Sequence, residues 1–327
     1  MQGMELAQFC STSRVVIVAG KGGVGKTTVT AALAVAAART GMSVLIVEVE
    51  GKSGLAAACD RPALTYDEAH LDDGIAARTL THDAALLDYL EGHGLRRISK
   101  RLASSGALDV VATAVPGMKD ILVLGKVKSL EQARTADLIV LDAPAAGHAI
   151  TFLLSARGLL DAVRVGPVRK QAQDVVELLS DPLRCQMMLV TIPEETPVNE
   201  LIDTAFAIED RAGVALGPVV VNGCYEAPVF SVAQSTSEAI AADAVALDRF
   251  VSPREAHDLA SAAEFRAARY ALQQEQAARL AERLPLPQVR LPFLFSAALG
   301  RAEIHHLADV LSTGIEQLPT VPANEPS

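Results

Sequence analysis

Apolar residues fall into two alternating patterns along this chain of 327 residues. The first is a short continuous apolar run, at 14–19, 43–49, 138–141, 186–192, 218–221 and 289–291. Such runs, without polar alternation, are expected of parallel strands buried on both faces. The second is a longer stretch with helical spacing. It covers 26–40, stopped by Gly41, then 84–91, 95–103 and 107–132 with a break near Pro116. Further helical stretches lie at 149–180, at 197–212, opened by Pro197 and closed before Gly213, and at 301–311. Residues 223–286 are mostly helical in pattern, and Ser252-Pro253 opens a long helix running to Arg283. The alternation predicts an α/β protein, a doubly wound and mostly parallel sheet with ligands at C-terminal strand ends. Residues 56–136 lie between two strands and predict a mostly helical insertion subdomain. The main domain is placed at 14–318. It follows an N-terminal extension, 1–13, and precedes a Pro-rich tail, 319–327, expected to be disordered.

The first strand runs into Gly20-Lys21-Gly22-Gly23-Val24-Gly25-Lys26-Thr27-Thr28, where the first long helix begins. Strand, glycine-rich loop, Lys-Thr and helix, in that order, are what a phosphate-binding loop requires, so a P-loop NTPase fold is expected. Glycines let backbone N–H groups curl around phosphate oxygens without Cβ clashes. The helix start adds its positive end. Lys26 supplies a point charge to the β- and γ-phosphates, and Thr27 a hydroxyl for Mg²⁺. The strand at 138–141 ends in Asp142, a Walker B arrangement in which the carboxylate holds Mg²⁺ through water. Gly147 follows and gives that loop freedom to move and bring its N–H to the γ-phosphate.

Charge and composition narrow the partners. Net charge is −10 with no basic cluster, which argues against nucleic acid. The absence of Trp and an aromatic content of 4% argue against base-stacking platforms. Neither a signal peptide nor an apolar run long enough to span a bilayer is recognised, so a cytosolic location is expected. Cys10, Cys59, Cys185 and Cys224 form no Cys-x-x-Cys pair, so neither a zinc site nor disulfides are expected. His305 and His306 are adjacent on a helix and point about 100° apart, so they do not share a metal.

Lys21, just after the first glycine, makes the loop a deviant Walker A. The chain here resembles the family of dimeric P-loop ATPases that has it. In that family the extra lysine reaches across the dimer to the partner's nucleotide. The segment Asp142-Ala143-Pro144-Ala145-Ala146-Gly147-His148 is similar to the second switch of the arsenite-pump and tail-anchored-protein targeting ATPases. Asp142, Gly147 and His148 match, while Ala143 and Ala146 replace threonines. The resemblance places Glu50 where that branch has an aspartate orienting the attacking water, with Gly51 where it has proline. It places Asn222 where an asparagine hydrogen-bonds adenine through its amide, and Pro292 and Phe293 in the loop packing the base's other side. It implies ATP and Mg²⁺ as ligands, a homodimer or a heterodimer with a related ATPase, and a bacterial single-domain form spanning about 14–315.

Three readings of the cargo stay open. A targeting ATPase would hold a hydrophobic helical client or membrane-protein partner, with apolar Val110, Val111, Val115, Met118, Leu122 and Val123 as candidate contacts. An arsenite-pump subunit would need converging thiolates, for which Cys59 and Cys224 near strand ends are the available groups. A nucleotide switch would work with a related ATPase and carry no client.

Overall fold

The computed structural model describes residues 5–49, 54–105, 117–228, 235–246, 249–296 and 298–319; the side chains of 102–105 and 145–148 are outside that description. In chain order come α1 (Leu6–Thr12), β1 (Val15–Gly20), α2 (Lys26–Ala38), β2 (Val44–Val49) and α3 (Gly54–Ala58). Then follow β3 (Ala69–Asp72), β4 (Ile75–Leu80), α4 (His82–Gly92), α5 (Arg96–Ser105) and α6 (Met118–Ala133). Next are β5 (Leu138–Ala145), α7 (Ala146–Ala162), α8 (Pro167–Ser180), β6 (Cys185–Thr191) and α9 (Glu195–Ala207). β7 (Ala215–Leu216), β8 (Val219–Cys224), α10 (Ser237–Ala246), α11 (Pro253–Arg283), β9 (Gln288–Pro292) and α12 (Arg301–Glu316) complete the order.

The strands form one sheet in the order β3-β4-β2-β5-β1-β6-β8-β9, with β7 beside β6. Every pairing is parallel except β3 with β4. The period of two divides each strand between two cores. Val16, Val18, Ile46, Val140, Val190 and Val289 face α2 and α12, among Leu33, Leu307 and Leu311. Val15, Ile17, Leu45, Leu141, Leu189 and Val221 face the other side, among Leu124, Phe152, Val175 and Leu201. Helices on both faces explain why these strands read as unbroken apolar runs. Each fully buried Val, Leu or Ile contributes roughly 1.5–3 kcal/mol relative to exposure.

Helix limits follow local chemistry. Gly41, at φ +91°, ends the turn after α2. Gly166, at φ +103°, and Pro167 split the single stretch expected at 149–180 into α7 and α8. Ile208–Ala212 is a π-helical turn that Gly213 closes at φ +65°. Ser252 and Glu255 form a capping box on α11. That helix has 31 residues, yet only Ala256, Gln273, Gln276, Ala277 and Leu280 are buried, four of the five in its C-terminal third.

The structure corrects the reading of 56–136 in one respect: two strands lie inside it. β4 pairs in parallel with β2, Val44 opposite Ile75 and Glu48 opposite Thr79. The turn between β3 and β4 is Asp73-Gly74, with Gly74 at φ +73°. β4 escapes an apolar-run search because Arg78 and Thr79 occupy buried positions. Arg78 is accommodated by the Tyr66 carbonyl and by Glu68. α1 was also absent from the sequence reading; Leu6, Phe9 and Cys10 bury it against α2 and α12.

Candidate functional site

The glycine loop leaves the C-terminal end of β1 and enters α2. Gly20 lies so close to β6 that a Cβ would collide with the Val190 carbonyl. Gly22 and Gly23 are the reverse case: a Cβ on either would meet nothing within 4 Å, so this side of the loop is open. Gly25 adopts φ +91° and stands at the N-cap of α2 without a side-chain cap, which leaves first-turn N–H groups available to an anion. Val24, 2% exposed, anchors the loop in the core.

Lys26 is 8% exposed, and its Nζ donates to the Lys21 carbonyl at 3.0 Å. The Thr27 hydroxyl donates to Asp142 Oδ2 at 2.7 Å, with Thr28 next in the same helical turn. Asp142 is fully buried on β5, paired in register with Val18 and with Glu48. Glu48 is likewise fully buried and accepts from Thr79 Oγ1 at 3.3 Å. The hydroxyl and carboxylates are hard oxygen donors, which suit Mg²⁺. Among the described residues no group of three His, Cys, Asp or Glu could hold a metal alone; Mg²⁺ ordinarily needs one or two protein oxygens plus phosphates and water.

Lys21 pairs within the chain, Nζ to Glu200 Oε1 on α9 at 2.6 Å, both side chains partly exposed. Gly147 lies in the first turn of α7, directly after β5. Glu50 lies outside the described residues. Asn222, on β8, donates through Nδ2 to the Val24 carbonyl at 2.9 Å. The amide donor expected at adenine is therefore engaged by the glycine loop. Pro292 ends β9, and Phe293 N–H donates to the Cys224 carbonyl at 2.8 Å. Phe293 packs edge-on against Tyr225 and Phe295, centroids 5.1 and 4.9 Å apart. Phe295 is 72% exposed and Arg266 lies over its ring. The sequence reading missed Tyr225 and Phe295. Low aromatic content speaks to number, not location, and Phe at 293 and 295 straight after the last strand was the available signal.

The thiols are unlike soft-metal ligands. Burial pushes Cys224 up to about 11 and Cys10 and Cys185 up to about 12. Burial also raises Cys59, with Arg301 acting the other way. All four are free of disulfides, and burial, by raising them, disfavours the thiolate forms that metalloids need. Among the described residues no helix is long and apolar enough to cross a membrane.

Residues 13–164 match the family model described as anion-transporting ATPase. The chain is 36% identical over 230 residues to ATPase BagA of Mycobacterium tuberculosis, a match covering 64% of each chain. It is 26% identical over 233 residues to a putative arsenical pump-driving ATPase of Halobacterium salinarum, covering 64% of this chain and 35% of that one. It is 28% identical over 144 residues to ATPase get3 of Neurospora crassa, covering 43% and 42%. The matched stretch holds the glycine loop and Asp142, whereas Asn222 and the aromatic cluster lie beyond it. Residues 13–164, just under half of the chain, are thus similar to the anion-transporting ATPase family, and the relatives by sequence include a putative arsenical pump-driving ATPase and ATPase get3.

Proposed function

We propose that this chain is a Mg²⁺-dependent ATPase working as a dimeric, ATP-driven switch of the arsenite-pump and tail-anchored-protein targeting type, with a hydrophobic protein client. The observation that carries the catalytic part is the Thr27–Asp142 pair beneath a glycine loop whose outer side is open. In this reading the N–H groups of Gly22 to Thr28 and the Lys26 ammonium hold the phosphates, and Thr27 and Asp142 hold Mg²⁺. Mg²⁺ held by Thr27 and Asp142 would supply positive charge to offset that developing on the phosphate oxygens. Glu50 orients water, one methylene longer than the family's aspartate, and Lys21 serves the partner's nucleotide. Gly147 opens α7 beside the γ-phosphate; Asn222, Pro292 and Phe293 take the base. The test is ATP turnover by Lys26→Ala, which is expected to fall to background. Turnover at the wild-type rate would remove the site assignment.

One observation favours a second reading, a nucleotide switch that pairs with a related ATPase and carries no client. Of the apolar residues considered as client contacts, Leu122 and Val123 are core and Met118 is partly buried. Val110, Val111 and Val115 lie outside the described residues. The space between α4, α6 and α8 is a cavity of about 710 Å³ rimmed by charge, including Asp88, Lys126, Lys128, Lys170 and Asp174. Such a lining suits polar contacts better than a helical apolar face. Trapping the ATP state with Glu50→Gln and identifying co-purifying proteins separates the two. Proteins with hydrophobic helical segments support a client; recovery of a related ATPase alone supports the partner switch.

A further inference from the structure

The phosphate loop is held at two points. β6 crowds it at Gly20. At its other end stands Asn222 on β8, 198 residues along the chain from Val24 and bonded to its carbonyl. The Asn222 amide nitrogen also fills the space that a Cβ on Gly25 would need. Asn222 is followed by Gly223, at φ +69°, whose carbonyl accepts from Gln273 Nε2 at 3.0 Å. Gln273 is 4% exposed on α11, and its Oε1 accepts from the Tyr225 N–H at 2.7 Å. The residues flanking the asparagine are thus fixed to a long helix.

We infer that Asn222 is a positioning residue for the phosphate loop, setting the direction of the Val24–Gly25 peptide. The inference rests on the reading that this loop holds phosphates. A trans peptide is planar, with C=O and N–H pointing opposite ways. Holding the Val24 oxygen at Asn222 turns the Gly25 N–H away from it, toward the loop's interior. Freed of that bond, the peptide at a left-handed glycine has little to keep it from rotating, because glycine populates both signs of φ. With Nδ2 spent on the loop, Asn222 has only its Oδ1 acceptor left to offer a base.

A ligand with phosphates and no base tests this. Affinity for Mg-tripolyphosphate and for Mg-ATP is measured by displacement of a fluorescent ATP analogue, on wild type, N222D and N222S. N222D keeps the shape but sets an acceptor against the Val24 carbonyl. N222S is too short to reach it and gives the same reading should N222D fail to fold by circular dichroism. Both variants are expected to weaken tripolyphosphate about tenfold, as befits one lost hydrogen bond at a partly buried site, and to weaken ATP by at least that factor, since any base contact at Asn222 is lost on top of it. Tripolyphosphate binding unchanged while ATP binding falls would overturn the inference and leave Asn222 a base contact only. Wild-type affinity for both ligands would overturn it as well. Failure of the underlying reading looks different: Lys26→Ala would then bind tripolyphosphate as tightly as wild type.

Discussion

Asp142 is a carboxylate with no exposure to solvent, bonded to a threonine hydroxyl. Burying a charge is costly, and replacing one often leaves a protein as stable or more so. Asp142→Asn is therefore expected to leave the melting temperature level or raised while abolishing the gain in ATP affinity on adding Mg²⁺. Calorimetric titration with and without Mg²⁺ checks both halves; a variant that keeps the Mg²⁺ gain would remove Asp142 from the metal site. At this scale the loop was legible because its information is local: nine successive residues between a strand and a helix. Asp142 was legible for the same reason, as the end of an apolar run. The partner of Asn222 was not, since nothing near residue 222 points to residue 24. Nor was the Lys21–Glu200 pair, which joins the loop to a helix face 179 residues on.

Helix α12 packs on β9 through Gly314, where an added Cβ would lie 2.5 Å from Val289 Cγ1. Two effects compete in Gly314→Ala. Alanine improves helix propensity by about 1 kcal/mol. Overpacking against a buried, χ1-restricted valine costs about 1–3 kcal/mol. Packing is expected to win, so the urea midpoint falls; a rise would show that α12 shifts freely on the sheet. The long elements were legible because burial on both sheet faces writes unbroken apolar runs. β3 and β4 were not, because β4 carries Arg78 and Thr79 inside and β3 has only four residues. There the tertiary partners of Arg78, rather than strand propensity, decide the structure.

For the molecule as a whole, the sheet is tethered at its N-terminal edge by Asp137, whose carboxylate accepts from the Ser43 hydroxyl and N–H at 2.7 and 2.8 Å. The Ser43 hydroxyl and N–H, with Arg14 nearby, outweigh burial and hold Asp137 below its ordinary 3.8. A carboxyl depressed on folding stabilises fully above its unfolded value and loses that contribution as pH falls through the lower, folded value. Melting temperatures of Asp137→Asn should thus drop less than those of wild type as pH is lowered below about 4, the range of an unfolded aspartate; parallel curves would remove the tether. Assembly has its own test. The Lys21 carbonyl receives Lys26 whatever side chain residue 21 bears. Lys21→Ala is accordingly expected to bind ATP normally and to hydrolyse it poorly, and wild-type turnover would argue against service to a partner's nucleotide. Finally, α11 is fixed at Gln273, and of the twenty residues before it only Ala256 is buried, α10 and the Arg269–Glu194 pair being among its contacts there. At 1.5 Å per residue that largely exposed arm is about 30 Å long. A tilt of about 5° at the clamp sweeps its tip by about 2.6 Å on that length. Two hydrogen bonds, through Gly223 and Asn222, join that clamp to the glycine loop, so on the proposed reading of the loop a displacement too small to notice there would be larger at the helix's far end.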